Sequence, residues 1–490
     1  MFNWLSDRLG RFYAMLGEIT GIGATAHLFR ILGKTILADF GVAISRKGEF
    51  QIQGFPAGNF LIGVHIDLVI ITHAHLDHFG AIARLIRHHP KAKVIVARSA
   101  LMAIVFMLLD SLKIMEEERS KAKRLGIPQS EPLFTENDRL NFISNPNLVV
   151  IDLPCWLNVG DKLGPGWEGW RIGFHDSGHD TGAMMSFIVD PSDWRYLITG
   201  DVCSHDQIFR HGVILPDKEF CGDFFDKPER LTMITEATNG AKPMTETPEE
   251  VLAKFGAKLK EVEARNGLVL IAAFSKNRCS KMAMACIELG YVPFIDGSGR
   301  IMMRIELGND KVDLLLKSEK MIFADEDEKH PEWAREQRES LLNGDMGFHP
   351  YIAPSGTLEG GHSVSAAKVI LPGRNNAVIF PGYLFPDSTS KQIFEMTRGH
   401  TVVLKVWNPV RHRLVPTPVN VVSEICHFNF TSHDFQGGLV KRVQLAKPER
   451  ALIVHHCDDT AFESFKTAIS LAMPPLPRIE RASHLKEIKL

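Results

Sequence analysis

The hydrophobic and polar positions of the chain form two kinds of segment. Short, almost wholly apolar runs are typical of strands buried on both faces. They occur at 26–32, 35–39, 66–72, 94–97, 148–151, 184–189 and 195–199. Segments at 79–87 and from 100 to about 124 instead repeat apolar residues at helical spacing. Strands that alternate with helices in this way predict an α/β layered fold.

The same alternation starts again in the second half of the chain. Between about 209 and 379, apolar runs at 233–235, 269–272 and 321–323 predict strands, with helices between them. A chain of 490 residues also exceeds the usual size of one domain. We therefore predict a second α/β unit, a solvated helix or loop over the charged run 325–338, and a mobile tail after Met473.

Composition narrows the protein class only a little. Apolar residues make up 45% and charged residues 23% of the chain, as in a soluble globular protein. The formal net charge of -2 does not indicate nucleic-acid binding over the whole surface. It does not exclude a local basic groove, because net charge averages over the surface. The seven cysteines are scattered without a Cys-x-x-Cys pair, which favours a reducing, cytoplasmic location. No apolar run reaches the length of a membrane span, so we expect no membrane association.

One short segment carries the clearest chemistry. His73, His75, Asp77 and His78 lie within six residues, between a predicted strand and a predicted helix. Imidazole nitrogens and carboxylate oxygens are ligands that zinc accepts. A tight turn can direct the first two side chains to one ion and the last two to a neighbouring ion. A histidine-rich helix start is the plainer interpretation, but the strand–loop–helix context favours a metal site.

Further ligands are expected at the ends of later strands. His179 lies in a Gly178-His179-Asp180-Thr181-Gly182 segment just before a predicted strand, and Asp201 follows another strand. Either residue alone is more often part of a turn or a cap. His175 competes with His179, which we prefer because its flanking glycines permit close backbone approach.

These residues resemble the metal-binding motifs of the metallo-β-lactamase superfamily, and further segments resemble its β-CASP branch of RNA-processing and DNA nucleases. Matching segments follow one another in the branch's order from about residue 21 to about residue 465. They are 177–187, 234–240, 267–278, 353–361, 376–383, 428–433 and 452–455. Single matches are weak, whereas the ordered set is strong.

The resemblance implies an architecture. An αββα metallo-β-lactamase sandwich would span residues 1–205 and return at 420–490. An inserted α/β β-CASP domain would span residues 206–419.

The resemblance also implies roles for individual residues. Two Zn²⁺ ions per chain would be held by His73, His75 and His179 on one side, and by Asp77, His78 and His455 on the other, with Asp201 between them. Such ions supply hydroxide at neutral pH, and Asp77 would therefore be essential for catalysis. His433 would protonate the leaving oxygen, with its ring oriented by Glu236. Without the resemblance, a salt bridge for Glu236 and a core position for His433 would be the preferred interpretations.

The sequence departs from the branch pattern at three places. The acid near His433 is Asp434, one position earlier than usual, and Cys279-Ser280-Lys281 replaces the usual Ala-Gln-Glu after Arg278. Where the branch has His-Gly-Glu, this chain has His455-His456-Cys457, which leaves the choice of ligand open. These departures concern substrate handling more than metal binding.

The expected activity is that of a zinc-dependent ribonuclease acting on single-stranded RNA, because a histidine at 455 resembles the RNA enzymes of the branch. A possible phosphate track consists of Lys276, Arg278, Lys281, Lys441, Arg442 and Lys447, which are equally compatible with ordinary surface. A hydrolase of a small ester or phosphodiester is the alternative. A non-catalytic RNA-processing scaffold ranks last because all seven expected ligands are present. The sequence predicts neither the oligomeric state nor endonuclease as opposed to exonuclease action.

Overall fold

A computed structural model describes residues 10–17, 23–47, 50–54, 61, 63–124, 126–128, 131–324, 331–408, 413–473 and 477–490. The chain divides into two compact units. The first unit consists of Met1–Asp206, Arg210–Met244 and Ser432–Leu490, and the second of Gln207–Phe209 and Thr245–Thr431. The first unit thus includes residues 210–244, which the sequence-based boundaries assign to an inserted domain. The domain assignment itself stays a prediction.

The bounds of the strands and helices follow the chain. The strands are β1 (Arg11–Met15), β2 (His27–Ile31), β3 (Lys34–Ala38), β4 (Ala43–Lys47), β5 (Phe50–Gly54), β6 (Leu68–Ile70), β7 (Lys93–Ala97), β8 (Leu148–Ile151), β9 (Cys155–Trp156), β10 (Arg171–Asp176), β11 (Met184–Val189), β12 (Arg195–Ile198), β13 (Leu231–Glu236), β14 (Val269–Ala272), β15 (Phe294–Ile295), β16 (Ile322–Phe323), β17 (Tyr351–Ala353), β18 (Ala377–Phe380), β19 (Thr401–Asn408), β20 (Arg413–Asn420), β21 (Glu424–His427), β22 (Ala451–His455), β23 (Ile479–Arg481) and β24 (Glu487–Lys489). The helices are α1 (Leu76–Phe79), α2 (Ile82–His88), α3 (Arg98–Arg124), α4 (Glu136–Ile143), α5 (Val159–Leu163), α6 (Lys218–Cys221), α7 (Pro248–Ala264), α8 (Ser280–Glu288), α9 (Ser298–Leu307), α10 (Asn309–Lys317), α11 (Pro331–Asn343), α12 (His362–Ile370), α13 (Thr389–Glu395), α14 (Gln436–Ala446) and α15 (Asp459–Ala472).

Two seven-stranded sheets form the framework of the first unit within the described residues. One has the order β24-β1-β2-β3-β6-β7-β8, and the other has the order β23-β22-β13-β12-β11-β10-β9. In the first sheet β3, β6, β7 and β8 run parallel, and in the second β12, β13 and β22 run parallel. Since the carboxyl ends of parallel neighbours meet at one edge, the loops that follow these strands are brought together there.

The core of the first unit explains why its central strands are largely apolar. Every residue of β11, β12, β13 and β22 is buried. On one face of the second sheet, Leu452 and Val454 pack with Val443 of α14 and Phe465 of α15. Strands covered on both faces cannot alternate apolar and polar residues, so they form continuous apolar runs. This confirms the predicted α/β class.

Two expectations about the first unit are wrong. The run at 233–235 does not begin a second unit, because β13 pairs with β12 on one side and with β22 on the other. The tail after residue 473 is not mobile over its described part, 477–490. There β23 pairs with β22, and β24 pairs with β1, so each strand extends one edge of a sheet.

The second unit contains a parallel six-stranded sheet with the order β16-β15-β17-β14-β18-β21. Along β14, Val269 and Ile271 pack with α7 and α8, whereas Leu270 and Ala272 pack on the opposite face with α12. A sheet with helices on both faces is the arrangement expected for alternating strands and helices. The antiparallel hairpin of β19 and β20, which the apolar pattern did not predict, also packs on the α12 face through Val402 and Leu404.

Two further expectations concern polarity. Of the charged run 325–338, residues 331–338 lie in α11, and residues 325–330 lie outside the described part of the chain. Among the helices of the described residues, none is both long and apolar enough to cross a membrane.

Candidate metal centre

The histidine motif lies in the loop that joins β6 to α1. His75 has extended backbone geometry and caps α1, so the chain turns sharply between His73 and Asp77. His73 and His78 are fully buried, whereas the side chains of His75 and Asp77 remain about one quarter exposed. The turn thus directs four polar side chains toward the carboxyl edge of the first sheet.

Asp39, which follows β3, holds the His78 ring directly and the His73 ring through Thr72. His78 Nδ1 lies 2.8 Å from Asp39 Oδ2, and the Thr72 amide and hydroxyl donate to the same carboxylate, each at 2.8 Å. His73 Nδ1 in turn lies 3.0 Å from Thr72 Oγ1. Because Nδ1 of each ring is occupied, Nε2 is the atom available to a metal.

The first group of potential ligands consists of His73, His75, His179 and Asp201. His75 Nδ1 lies 3.0 Å from His73 Nε2 and 3.2 Å from His179 Nε2. Asp201 Oδ2 lies 3.5 Å from His73 Nε2 and 3.7 Å from His179 Nε2. His179 Nδ1 donates to the carbonyl of Ser432 at 2.7 Å, which orients this ring as Asp39 orients His78.

The second group consists of Asp77, His78 and His456. His456 Nε2 lies 3.3 Å from Asp77 Oδ2, and His78 Nε2 lies 3.9 Å from the same oxygen. Asp201 also reaches this group, since its Oδ2 lies 3.4 Å from His78 Nε2 and its Oδ1 lies 3.4 Å from His456 Nδ1. One carboxylate therefore faces both groups.

The structure corrects the sequence-based choice of His455 as a ligand. His455 is the last residue of β22, and its ring packs edge-on against His27 at 4.4 Å between centroids, outside both groups. The chain then takes a left-handed conformation at His456, with φ 55°. Successive residues of a strand point to opposite faces, and the turn beyond the strand brings His456 to the cluster instead.

The competitor His175 does not join the groups of potential ligands. It lies within β10, where its Nδ1 contacts the carbonyl of Asp176 at 3.0 Å and its ring packs against Phe220. His179 lies beyond that strand, in the turn before β11. The turn, rather than the strand, therefore supplies the histidine at this edge of the sheet.

His433 and Glu236 form a pair beside the first group. His433 Nδ1 lies 2.9 Å from Glu236 Oε1, and its ring centroid lies 4.6 Å from that of His179. Glu236, at the end of β13, is fully buried and also accepts from the amides of Val202 and Thr238. The carboxylate is thus fixed by the backbone, and it fixes the imidazole in turn.

Burial and charge act on the rings in opposite directions. Burial lowers the pKa of His73 and of His179 well below the ordinary value, which favours the neutral form that binds metals. Burial alone would also lower the pKa of His78 and of His456, but Asp201 and other carboxylates raise both, that of His456 to about 10. A metal ion bound at these two rings would take the place of their protons, since metal binding releases protons.

Several buried atoms of these groups lack a hydrogen bond within the described chain. They are His78 Nε2, His456 Nε2 and Asp201 Oδ1. Each lies 3.3–3.4 Å from another potential ligand atom. Buried polar atoms without partners are costly unless a ligand satisfies them. Nitrogen and oxygen donors in this arrangement fit divalent metal ions.

The proposed phosphate track is wrong for half of its members. Lys276 is 5% exposed and pairs with Glu306, and Lys281 is 2% exposed and contacts Gln207 and the carbonyl of Phe430. Arg442 is fully buried and pairs with Asp434. A buried cation held by protein groups cannot follow a phosphate backbone.

Comparison with known families identifies the part of the chain that carries most of these residues. Residues 19–202 match the metallo-beta-lactamase superfamily.

This stretch of the chain thus resembles a metallo-β-lactamase domain.

Metallo-β-lactamase domains imply divalent metal ions, in agreement with the groups at the end of β6. The match ends just after Asp201, so His433 and His456 lie outside it. The chain is a metal-dependent hydrolase.

Curated relatives cover most of the chain at low identity. Probable RNase MJ4 of Methanocaldococcus jannaschii is 23% identical over 86% of this chain and 87% of its own length. Ribonuclease TTHA0252 of Thermus thermophilus is 25% identical, with 75% of this chain and 77% of that protein covered. Endoribonuclease ysh1 of Aspergillus fumigatus is 24% identical over 79% of this chain, which spans 43% of that protein. The chain thus resembles RNA-processing β-CASP nucleases, as the sequence motifs predict.

A solved structure shows the same fold along the whole chain. A protein of unknown function from Enterococcus faecalis aligns with a TM-score of 0.56 at 14% identity, covering 98% of this chain and 100% of that one. At this identity the likeness concerns the fold alone. The match of residues 19–202, together with the second compact unit, is consistent with a metallo-β-lactamase fold with an additional domain.

Two residues of the site, Asp39 and His456, were not predicted from the sequence. Asp39 follows β3, a parallel neighbour of β6, and a carboxylate at the end of a neighbouring strand could have been suspected from that position alone. His456 lies beside His455, and the left-handed turn that distinguishes them has no sequence signal, because His456 is not a glycine.

Proposed function

We propose that this chain is a ribonuclease that hydrolyses phosphodiester bonds of single-stranded RNA at a site for two zinc ions. His73, His75 and His179 would hold one ion, Asp77, His78 and His456 the other, and Asp201 would face both. The observation that carries the proposal is the position of Asp201, whose two oxygens lie within 3.7 Å of ring nitrogens from both groups. The names of the relatives support RNA as the substrate.

Paired zinc ions at such a site would supply hydroxide at neutral pH and offset the charge that develops on the phosphate. The other steps belong to the chain. Glu236 orients the His433 ring through Nδ1, so Nε2 is the atom that would deliver a proton to the leaving oxygen. Burial alone would lower the pKa of His433, but Glu236 and Asp201 raise it above the ordinary value, which favours the protonated ring.

One observation favours a second candidate, a hydrolase of small phosphodiesters. Lys276, Lys281 and Arg442 are buried in ion pairs or hydrogen bonds, so fewer cations remain for a long phosphate backbone. A small substrate requires fewer contacts with cations outside the metal site.

The test compares three substrates with zinc-loaded protein: labelled single-stranded RNA, single-stranded DNA of the same sequence, and bis(nitrophenyl) phosphate. The proposal predicts that kcat/KM is highest for RNA and that chelation abolishes the reaction. Cleavage of the nitrophenyl ester without cleavage of RNA would favour the second candidate. Equal cleavage of RNA and DNA would contradict the RNA assignment.

A further inference from the structure

A buried set of polar side chains holds the loop that carries His433. We call Ser204, Asp434 and Arg442 the clamp. Asp434 Oδ1 accepts from the Ser204 amide at 2.7 Å and from its hydroxyl at 2.6 Å, and Asp434 Oδ2 accepts from the Arg442 guanidinium. Asp434 and Arg442 have no exposed surface. A buried ion pair is stable only when further hydrogen bonds complete it, as they do here.

The clamp is packed tightly from both sides. Arg442 also donates to the carbonyls of Val213 and Ile214. At Gly438, in the first turn of α14, an added Cβ would lie 2.7 Å from both Asp434 Oδ1 and Ser204 Oγ. Only a glycine lets the helix approach the carboxylate this closely, so the clamp has little freedom to move.

The residues on either side of His433 are tied to the candidate metal centre. Before it, the Ser432 carbonyl accepts from His179 Nδ1 at 2.7 Å. After it, the Asp434 amide donates to the Val202 carbonyl at 2.8 Å. The Val202 amide donates to Glu236 Oε1, the oxygen that contacts His433. The clamp therefore sets the position of the backbone from which the His433 side chain extends.

Asp434 also lies within 4.8 Å of Cys203 and His205, a combination of donors that could hold a metal ion. Both of its oxygens are already engaged, one by Ser204 and the other by Arg442. A cation there would have to displace a fully buried guanidinium, at a large cost. The contacts thus favour a structural tie over a third metal site.

We propose that Asp434 is a positioning residue, which acts with Ser204 and Arg442 to hold His433 in the orientation for protonating the leaving group. This inference rests on the proposed phosphodiester hydrolysis. It also gives a role to the acid that stands one position earlier than in the β-CASP pattern.

The test uses Asp434→Asn and the milder Ser204→Ala in the full, zinc-loaded chain. With RNA, Asp434→Asn should lower kcat about 10- to 100-fold, less than loss of the acid itself, while KM stays unchanged. Ser204→Ala removes one donor and should lower kcat less. Zinc content should remain that of the wild type. Asp190→Asn is the matched control, because Asp190 is a buried carboxylate of the same unit whose cationic partner is Arg11.

Two readouts separate positioning from general damage. In a series of aryl phosphodiesters, the loss should grow as the leaving group becomes less acidic, and nitrophenyl esters should be nearly unaffected. In a His433→Ala background, Asp434→Asn should cause no further loss, because both changes act on one proton transfer.

Equal losses across the aryl series, loss of zinc, or a full additional loss in the double variant would overturn the assignment. If Asp434→Asn does not fold, Ser204→Ala decides by the same readouts. The aryl series also separates this inference from the choice of RNA. A wild-type chain that hydrolyses aryl phosphodiesters but not RNA contradicts the ribonuclease proposal and still tests the clamp.

Discussion

Asp201 is the residue on which the candidate metal centre depends most, because its carboxylate faces ring nitrogens of both groups. Burial alone would raise its pKa, but His78 and His456 hold the pKa of Asp201 well below its ordinary value. The carboxylate is therefore charged over the whole physiological range and suited to a site of two cations.

The first prediction separates the two adjacent histidines. His456→Ala should lose one zinc ion per chain and nearly all RNA hydrolysis, because His456 contacts both Asp77 and Asp201. His455→Leu is the matched control and should retain both, since the His455 ring lies outside both groups of potential ligands and packs against His27. Zinc content and kcat are measured for both variants. The reverse pattern would restore His455 as the ligand.

The second prediction concerns Asp77. Asp77→Ala should abolish hydrolysis but leave the fold intact, because the side chain is about one quarter exposed and contacts His78 and His456 rather than the apolar core. Circular dichroism checks the fold, and single-turnover cleavage checks activity. Wild-type turnover in a folded variant would exclude the two-metal mechanism.

The third prediction concerns proton transfer. His433→Ala should lower RNA cleavage by about 10²–10⁴-fold while zinc is retained, and Glu236→Gln should lower it less, because the imidazole stays. A nitrophenyl phosphodiester needs no proton on its leaving group and should be nearly indifferent to His433→Ala. An equal loss on both substrates would point to substrate positioning, and loss of zinc would make His433 a ligand.

At the scale of elements, the turns that follow strands determine the positions of the candidate ligands more than the strands themselves do. His179 lies in a turn where Gly178 has φ +76°, and an added Cβ would lie 2.1 Å from the Cys203 carbonyl oxygen. The turn that carries His179 thus packs against the segment that follows Asp201. The same backbone contact therefore holds both of these candidate ligands in place.

The fourth prediction follows from that packing. Gly178→Ala should lower zinc affinity and the free energy of unfolding by more than the roughly 1–2 kcal/mol of left-handed strain alone. Gly290→Ala is the matched control, because Gly290 has φ +84° just beyond the end of α8 with nothing near an added Cβ. Zinc titration and urea unfolding measure both effects. Equal behaviour of the two variants would show that contact with the Cys203 carbonyl is unimportant.

The sequence predicts those features that depend on residues close together in the chain. The motif from His73 to His78 could be found because one turn contributes four donors. The continuous apolar runs also predicted most buried strands, including β6, β11 and β12. The membership of β13 in the first unit could not be predicted, because its pairing with β22 joins residues more than two hundred positions apart. The hairpin of β19 and β20 was missed because Pro416 and Pro418 are unusual in a strand.

At the scale of the whole molecule, every proposed ligand lies in the first of the two units. The ligands come from segments far apart in sequence, so a bound metal ion would join positions of that unit that are separated by long stretches of chain. The fold class and the presence of an additional unit were predictable from alternating strands and helices. The return of residues 210–244 to the first unit was not.

The fifth prediction is that zinc protects the two units unequally. A ligand that binds only the native state stabilises the structure it binds. Zinc removal should therefore speed amide hydrogen exchange in β6, β12 and β22, near the proposed ligands, and leave the central strand β14 of the second unit nearly unchanged. Exchange measured by mass spectrometry gives both values. Equal acceleration in both units would contradict a site confined to the first.

The number of zinc ions per chain tests the central claim most directly. Purified protein is stripped with chelator, saturated with zinc, freed of excess metal and analysed for zinc against protein concentration. The two groups that share Asp201 predict two ions per chain, and restored RNA hydrolysis should accompany their return. One ion or none at saturation would contradict the binuclear site.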